Sequence, residues 1–159
     1  MNVKIIAVGK LKEKYLKQGI QEYLKRLGAY CKMEIIEVND EPIGDNASQK
    51  DQNIVKQKEG AKILNRIKDN EYVILLHVDG EAIDSVDLAD KIETLMINGK
   101  SSITFVIGGS LGHGEDVLKR ADYKLSFSKM TMPHQLIRLV LVEQIYRAFK
   151  IIRKETYHK

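Results

Sequence analysis

Three residues within one stretch of this chain could form a hydrolytic triad. The segment Gly108-Gly109-Ser110-Leu111-Gly112 matches G-x-S-x-G, the turn that presents a nucleophilic serine between a strand and a helix. Asp122 and His134 follow in the order that α/β hydrolases use. Two features argue against a hydrolase. The α/β hydrolase fold needs more strands before its serine than this chain can supply. The segment also has four glycines, counting Gly114, which is more than a serine turn requires. Glycines in such number favour a backbone pressed close to a flat ligand.

A second candidate is the polar turn over 126–132, which follows a short apolar run and precedes Pro133. Backbone N–H and C=O groups in such a turn can read the edge of an adenine without charged side chains. From the residues alone, packing within the loop is the favoured explanation of Met130 and Met132. Because ligands of open α/β sheets bind at the carboxyl ends of strands, we expect the site here.

The chain end offers groups that suit RNA. From residue 147 onward there are five basic side chains and one acid, Glu155. Tyr157 can stack on a base, and arginine or lysine can hold a phosphate. A frayed, solvated tail is the alternative explanation.

The four histidines do not form a metal site by their spacing. His77, His113, His134 and His158 stand far apart in the chain, and no Cys or His pair has zinc spacing. His77 lies in an apolar run, which predicts a buried core histidine.

The elements that must position these groups alternate between strand and helix. Apolar and β-branched runs predict strands over 2–8, 33–38, 72–78, 103–107 and 123–127. Helical periodicity predicts helices over 12–30, 51–68, 86–98, 115–120 and 133–150. We expect a loop over 39–50, a turn at Asp79-Gly80, and a helix cap at Ser85. This pattern predicts one α/β domain over 1–159, with a mostly parallel sheet and helices on both faces.

Composition narrows the protein class. The net charge is +4, Cys31 is the only cysteine, and no apolar run approaches the roughly 18 residues of a membrane span. We therefore expect a cytoplasmic protein without an internal disulfide. The helix over 133–150 is apolar nearly all round in its first half, which predicts that it packs against a second copy of the chain.

Three motifs carry a family resemblance: V-I-G-G-S-L-G-H-G, L-S-F-S-K-M-T-M-P-H and the terminal Y-H-K. With them the chain resembles the SPOUT methyltransferases, and among these the RlmH family, which methylates a pseudouridine of 23S ribosomal RNA. The resemblance implies a C-terminal trefoil knot, a homodimer built on the helix after Pro133, and S-adenosylmethionine as cofactor. It also implies cofactor contacts at Leu76, Gly108, Phe127, Ser128, Lys129, Met130, Thr131 and Met132.

The resemblance further implies methyl transfer to N3 of the pseudouridine. His158 is the candidate for removing the N3 proton, Arg153 for stabilising the resulting anion, and Tyr157 for stacking or orienting the base. The chain has no added RNA-binding domain pattern, so the RNA is expected to be presented by the assembled ribosome or large subunit. Two alternatives stay open: a small serine hydrolase using Ser110, and a ribosome-associated binding protein without catalysis.

Overall fold

A computed structural model describes all 159 residues of the chain. The elements are β1 (Asn2–Val8), α1 (Lys14–Leu27), β2 (Lys32–Val38), α2 (Gln49–Leu64), β3 (Tyr72–Ala82), α3 (Ser85–Ile97), β4 (Ser102–Ile107), α4 (Glu115–Arg120), β5 (Tyr123–Ser126) and α5 (His134–Ile152). The strands form one sheet in the order β2-β1-β4-β3-β5, and every neighbouring pair is parallel. The prediction of a parallel α/β sheet is confirmed.

Alternate residues of the central strands face two different helical layers. In β1, Val3 and Ile5 belong to the larger core, which lies under α1, α3 and α5. Ile6 and Val8 of the same strand belong to the smaller core under α2 and α4. This alternation follows from the two-residue period of a strand. The predicted placement of helices on both faces is confirmed.

Helix α5 lies between α1 and α3 on the larger core. Leu141, Val142 and Ile145 are fully buried there. Gly19 of α1 permits the close approach, because a Cβ at that position would lie 3.1 Å from the side chain of Leu139. Three of the seven apolar side chains that suggested a second copy are thus buried within the chain, three are half-buried, and Leu136 near the start of the helix stays exposed.

Strand β3 is longer than its sequence predicts. The expected turn at Asp79-Gly80 is wrong, because the strand continues to Ala82. Leu125 of β5 pairs with both Leu76 and Glu81, so residues 77–80 form a bulge out of the ladder. Gly80 touches β5 so closely that a Cβ would lie 2.7 Å from the carbonyl carbon of Lys124. The bulge redirects the end of β3 beside the carboxyl edge of the sheet.

Helix starts differ from prediction by one or two residues. Asp84, not Ser85, caps α3, in a capping box with Asp87. The predicted end of this helix at Gly99 is confirmed, with a positive φ of 82° there. Pro133 is the N-cap of α5 and not its first helical residue.

Helix α2 begins within the stretch predicted as a loop. The Ser48 side chain accepts a hydrogen bond from the backbone N–H of Asp51, so the helix starts at Gln49. The preceding loop is joined to α2 by Lys62, whose Nζ lies 2.7 Å from Glu41 and donates to the carbonyl of Asn39.

Candidate cofactor cavity and the chain terminus

A cavity of about 330 Å³ opens at the carboxyl ends of β3, β4 and β5. Seven of the eight cofactor residues implied by the resemblance line it: Leu76, Gly108, Phe127, Ser128, Met130, Thr131 and Met132. Lys129 is exposed and does not line the cavity. Two turns, 108–113 and 127–132, therefore meet over a single space, where a parallel sheet is expected to bind ligands.

His113 organises the glycine-rich turn. Its Nε2 donates a hydrogen bond of 2.8 Å to the carbonyl oxygen of Leu76, because a carbonyl only accepts. The ring lies so close to Gly108 that a Cβ there would be 2.7 Å from its Cε1 atom. Glycine at 108 is thus required by a neighbouring side chain as well as by any ligand. Sequence reasoning gave His113 no role, since histidine has no fixed partner in a glycine-rich loop.

The environment of His113 keeps its ring neutral. Burial lowers the pKa of His113 to about 4, against the opposing effect of the Leu76 hydrogen bond. Its Nδ1 atom is buried and has no hydrogen-bond partner. The ring of His77 stacks on it, with centroids 6.2 Å apart. The prediction that His77 is a core histidine is wrong, because that side chain is half-buried and lines the cavity.

The turn over 127–132 is held by a hydrogen bond between a side chain and the backbone. Ser128 Oγ accepts a hydrogen bond of 2.9 Å from the N–H of Met130, which fixes the tight course of the chain. Met130 is 78% exposed, so loop packing does not explain it. Met132 is half-buried and lines the cavity wall. Apolar walls with backbone donors and acceptors between them are suited to a flat heterocycle.

The hydrolase arrangement is not assembled. Ser110 is exposed on the glycine-rich turn, at the carboxyl edge of the sheet, and His134 shares its surroundings. Asp122 stands before β5 at the opposite, amino edge, where its carboxylate accepts the N–H of Val73 at 2.8 Å. A triad needs the acid to orient the histidine, so the geometry does not support the Ser110 alternative.

The chain end docks on the last turns of α5. The hydroxyl of Tyr157 donates to Glu143 at 3.1 Å, and its ring meets Tyr146 edge-on at 4.9 Å. His158 Nδ1 lies 3.1 Å from a guanidinium nitrogen of Arg147. The alternative of a frayed, solvated tail does not hold for Tyr157, which is half-buried. Burial, with hydrogen bonds to neighbouring groups, raises the pKa of Tyr157, so its hydroxyl stays protonated.

Two residues of this terminal cluster were missed by sequence reasoning. Glu143 accepts from Arg147 at 2.6 Å in an i,i+4 pair, and together they hold Tyr157 and His158. Arg153 lies elsewhere, with its guanidinium 4.9 Å from the ring centroid of Tyr30. The available signal was the Glu-x-x-x-Arg spacing on α5, which alone is typical of any exposed helix face.

No group of three or more His, Cys, Asp or Glu side chains in the structure could hold a metal ion. None of the helices combines the length and the apolar character needed to cross a membrane.

Comparison with known proteins identifies relatives along the whole chain. The family described as predicted SPOUT methyltransferase matches residues 1–158. Proteins named ribosomal RNA large subunit methyltransferase H from Clostridium novyi (strain NT) and Clostridium botulinum (strain Okra / Type B1) are 61% and 60% identical over 159 residues, covering 100% of both chains. A protein named ribosomal RNA large subunit methyltransferase H 1, from Clostridium perfringens (strain SM101 / Type A), is 58% identical over the same length.

Among solved structures, a probable methylase family protein from Haemophilus influenzae Rd KW20 aligns with 96% of this chain and 66% of its own. Its TM-score is 0.49 at 13% identity, which is too distant to inform the site. The full-length matches are decisive: the chain belongs to the SPOUT methyltransferase family, within the group of ribosomal RNA large subunit methyltransferase H.

Proposed function

We propose that this protein is an S-adenosylmethionine-dependent methyltransferase that methylates N3 of a pseudouridine in 23S ribosomal RNA. The observation that carries the proposal is the convergence of the 108–113 and 127–132 turns on one cavity at the carboxyl edge. The relatives' shared name supports an RNA target in the large ribosomal subunit. Residues 1–159 act as one domain, with the C-terminal knot that the resemblance implies, in the cytoplasm where ribosomes are found.

The cavity fits an adenosine-bearing cofactor. Leu76 and Phe127 offer apolar contacts to a flat ring, and the turn over 128–132 offers backbone groups to its edge. Gly108 keeps the floor free of a side chain. When bound, S-adenosylmethionine supplies a methyl group on a positively charged sulfur. The protein's task is to hold that group in line with the attacking nitrogen and to exclude water.

The terminal cluster is suited to removing the N3 proton. An arginine only donates, so Arg147 makes His158 Nδ1 the acceptor and leaves the ring proton on Nε2. To take the proton from N3 at Nδ1, His158 must first be released by Arg147. Two nitrogens of Arg147 donate to Glu143, at 2.6 and 3.0 Å. These hydrogen bonds keep the guanidinium in place after His158 has moved away from it. The freed N–H can then donate to a carbonyl oxygen of the base, where negative charge develops.

Arg147 is therefore better placed than Arg153 to stabilise the anion. Arg153 is exposed beside Tyr30 and would serve as a contact for phosphate. Tyr157 keeps its role as the residue that orients or stacks on the base.

The distance between the two clusters supports a homodimer. The cofactor cavity meets α5 at Ile137, whereas the terminal cluster sits at Arg147. At a rise of about 1.5 Å per residue, ten residues separate them by about 15 Å along the helix. A second copy packed on the outer face of α5, where Leu136 is exposed, would bring its terminus to this cavity. Sedimentation as a monomer at micromolar concentration would contradict this arrangement.

Complementation between two inactive variants tests the whole proposal. Gly108→Trp fills the cofactor cavity, and His158→Ala removes the proposed proton acceptor. Each alone is expected to lose at least about 100-fold in single-turnover methylation of unmodified ribosomes or large subunits. Mixing the two under conditions of subunit exchange should restore up to about a quarter of the wild-type active sites, because one mixed dimer site has both parts intact. Lys119→Ala, at an exposed position on α4 that does not line the cavity, is the control.

Each failure has a distinct meaning. Full activity of His158→Ala with cofactor binding intact would exclude its role as a base. Cofactor binding without transfer to any ribosomal particle would favour the non-catalytic binding protein. Ester hydrolysis that disappears in Ser110→Ala would favour the hydrolase.

A further inference from the structure

A second cavity, of about 420 Å³, lies beside the first at the carboxyl ends of β1, β2 and β4. The two cavities share Gly109, Ser110 and His134 as a common wall. Lys10 and Glu59 line the second cavity but not the first. A ligand held in the first cavity could therefore extend past the glycine-rich turn into a space with charged side chains of both signs.

Glu59 is a buried carboxylate with one oxygen left free. Only 5% of the residue is exposed. Oε2 accepts a hydrogen bond of 2.9 Å from the N–H of Glu41, and no protein group donates to Oε1. Oε1 borders the wall between the cavities, because it lies 2.8 Å from where a Cβ on Gly109 would be. The free oxygen is thus placed at the junction of the two spaces.

The charge of Glu59 also lacks a partner. Lys62, whose charge acts on Glu59, forms its salt bridge with Glu41 instead, at 2.7 Å. Burial raises the pKa of Glu59, with the charges of Asp40 and Glu41 adding to the effect. A carboxylate in such a place costs stability unless a cation or a strong hydrogen-bond donor reaches it. Its surroundings therefore suit a positively charged ligand group.

The size and chemistry of the cofactor meet this requirement. The first cavity lies at the low end of the roughly 300–1,000 Å³ found for ligand sites, and the second cavity adjoins it across a shared wall. The amino-acid end of S-adenosylmethionine carries an ammonium and a carboxylate. Glu59 and Lys10, on the same cavity, offer the two opposite charges.

We propose that the second cavity receives the amino-acid end of the cofactor, with Glu59 Oε1 accepting a hydrogen bond from its ammonium group and Lys10 facing its carboxylate. This inference rests on the proposed function, because it presumes that the cofactor binds in the first cavity. Glu59 is then a binding residue that makes the site selective for the cofactor over adenosine derivatives without the amino-acid end.

Calorimetric titration of the full chain at pH 7.5 tests the proposal with three ligands. S-adenosylmethionine and S-adenosylhomocysteine carry the amino-acid end, and 5′-methylthioadenosine lacks it. Glu59→Gln is expected to weaken the first two by about tenfold or more, since the negative charge that strengthens the hydrogen bond from the ammonium is lost, and to leave the third within about twofold. Glu34→Gln removes the same charge from an exposed position and should change none of them.

The outcomes separate this inference from the proposed function. Equal weakening of all three ligands in Glu59→Gln would mean that the residue only shapes the turn, and unchanged affinities would mean that it touches no ligand; either overturns the inference alone. Wild-type protein that binds none of the three overturns the proposed function, and the inference with it. Glu59→Asp, which keeps the charge but shortens the side chain, should fall between wild type and Glu59→Gln for the first two ligands.

Discussion

Buried polar groups have their hydrogen bonds satisfied at the amino edge of the sheet but only partly at the carboxyl edge. At the amino edge, Glu71 is buried, and both of its oxygens are satisfied: Lys4 donates to one at 2.8 Å and Thr104 to the other at 2.7 Å. Asp122, nearby, accepts from Val73 and pairs with Arg120. Every one of these groups has a protein partner, which is the arrangement expected of a structural network.

At the carboxyl edge, several groups lack a partner. His113 Nδ1 and Arg138 Nε are the buried side-chain atoms without a hydrogen bond, and both lie there. Arg138 is 2% exposed and reaches Glu37 and the carbonyl of Gly9, at the ends of β2 and β1. Glu59 has one free oxygen at the same edge. Local violations of polar satisfaction thus lie at the proposed cofactor edge, whereas the satisfied edge holds the sheet together.

The largest stability effect is expected at the amino edge. Glu71→Ala leaves the Lys4 ammonium partly buried without its partner, so the free energy of unfolding should fall by about 3 kcal/mol. Urea denaturation measures this loss. Cofactor affinity of the folded variant should stay within about twofold of wild type, because the change lies at the opposite edge. A variant that kept full stability would show that the amino edge is not the structural one.

The stabilisation from Glu71 also has a defined pH dependence. Burial alone would raise the pKa of Glu71, but hydrogen bonds from Lys4 and Thr104 outweigh it and lower the pKa below its ordinary value of 4.5. A carboxyl pKa lowered by folding gives stability that is present above 4.5 and is lost as the pH falls towards the folded-state pKa. The difference between wild type and Glu71→Ala should therefore shrink in acid.

The next largest loss of stability is expected at the carboxyl edge, from a steric clash at Gly108. Gly108→Ala places a Cβ against the His113 ring and should cost about 1–3 kcal/mol in unfolding free energy. His113→Ala removes the obstacle, so the double variant should recover at least about 1 kcal/mol relative to the sum of the single changes. Gly44→Ala, where no atom lies within 4 Å of the added Cβ, is the control. Additive single effects would show that His113 does not lie over Gly108.

The smallest expected effect on stability comes from Glu59, and its pH dependence has the opposite sign to that of Glu71. A raised carboxyl pKa gives stability that is present below the unfolded-state value and is lost as the pH rises through the folded-state pKa. The ionised form of Glu59 therefore destabilises the fold relative to its neutral form, and Glu59→Gln should raise the free energy of unfolding by up to about 1 kcal/mol. Destabilisation by this change in the absence of ligand would mean that the carboxylate already has a structural partner.

The fold was largely predictable from the sequence because its signals are local. Period-two runs such as 2–8 and the amphipathic helices determine the alternating layers, and those elements end where Gly9 and Gly99 take positive φ. The extension of β3 past Asp79-Gly80 was not predictable, because it depends on the contact of Gly80 with β5, far along the chain. A dipeptide typical of turns gave way to tertiary packing.

The candidate site was predictable in part for the same reason. The turns that line the first cavity have distinctive motifs, so the chain's own residues indicated them. The roles of His113 and Glu59 could not be predicted, because they depend on tertiary contacts. His113 bonds a carbonyl 37 residues away, and Glu59 lies at the wall between two cavities. Likewise, the grouping of Glu143, Arg147, Tyr157 and His158 requires the chain end to fold back on α5.

Hydrogen–deuterium exchange of the wild-type protein, with and without S-adenosylhomocysteine, tests the contrast between the edges most directly. We expect ligand to slow exchange at backbone amides over 76–80, 108–113 and 127–134, and to leave the amino-edge amides over 70–73 and 102–104 unchanged. Protection concentrated at the amino edge, or no protection anywhere at saturating ligand, would contradict the assignment of the carboxyl edge as the cofactor site.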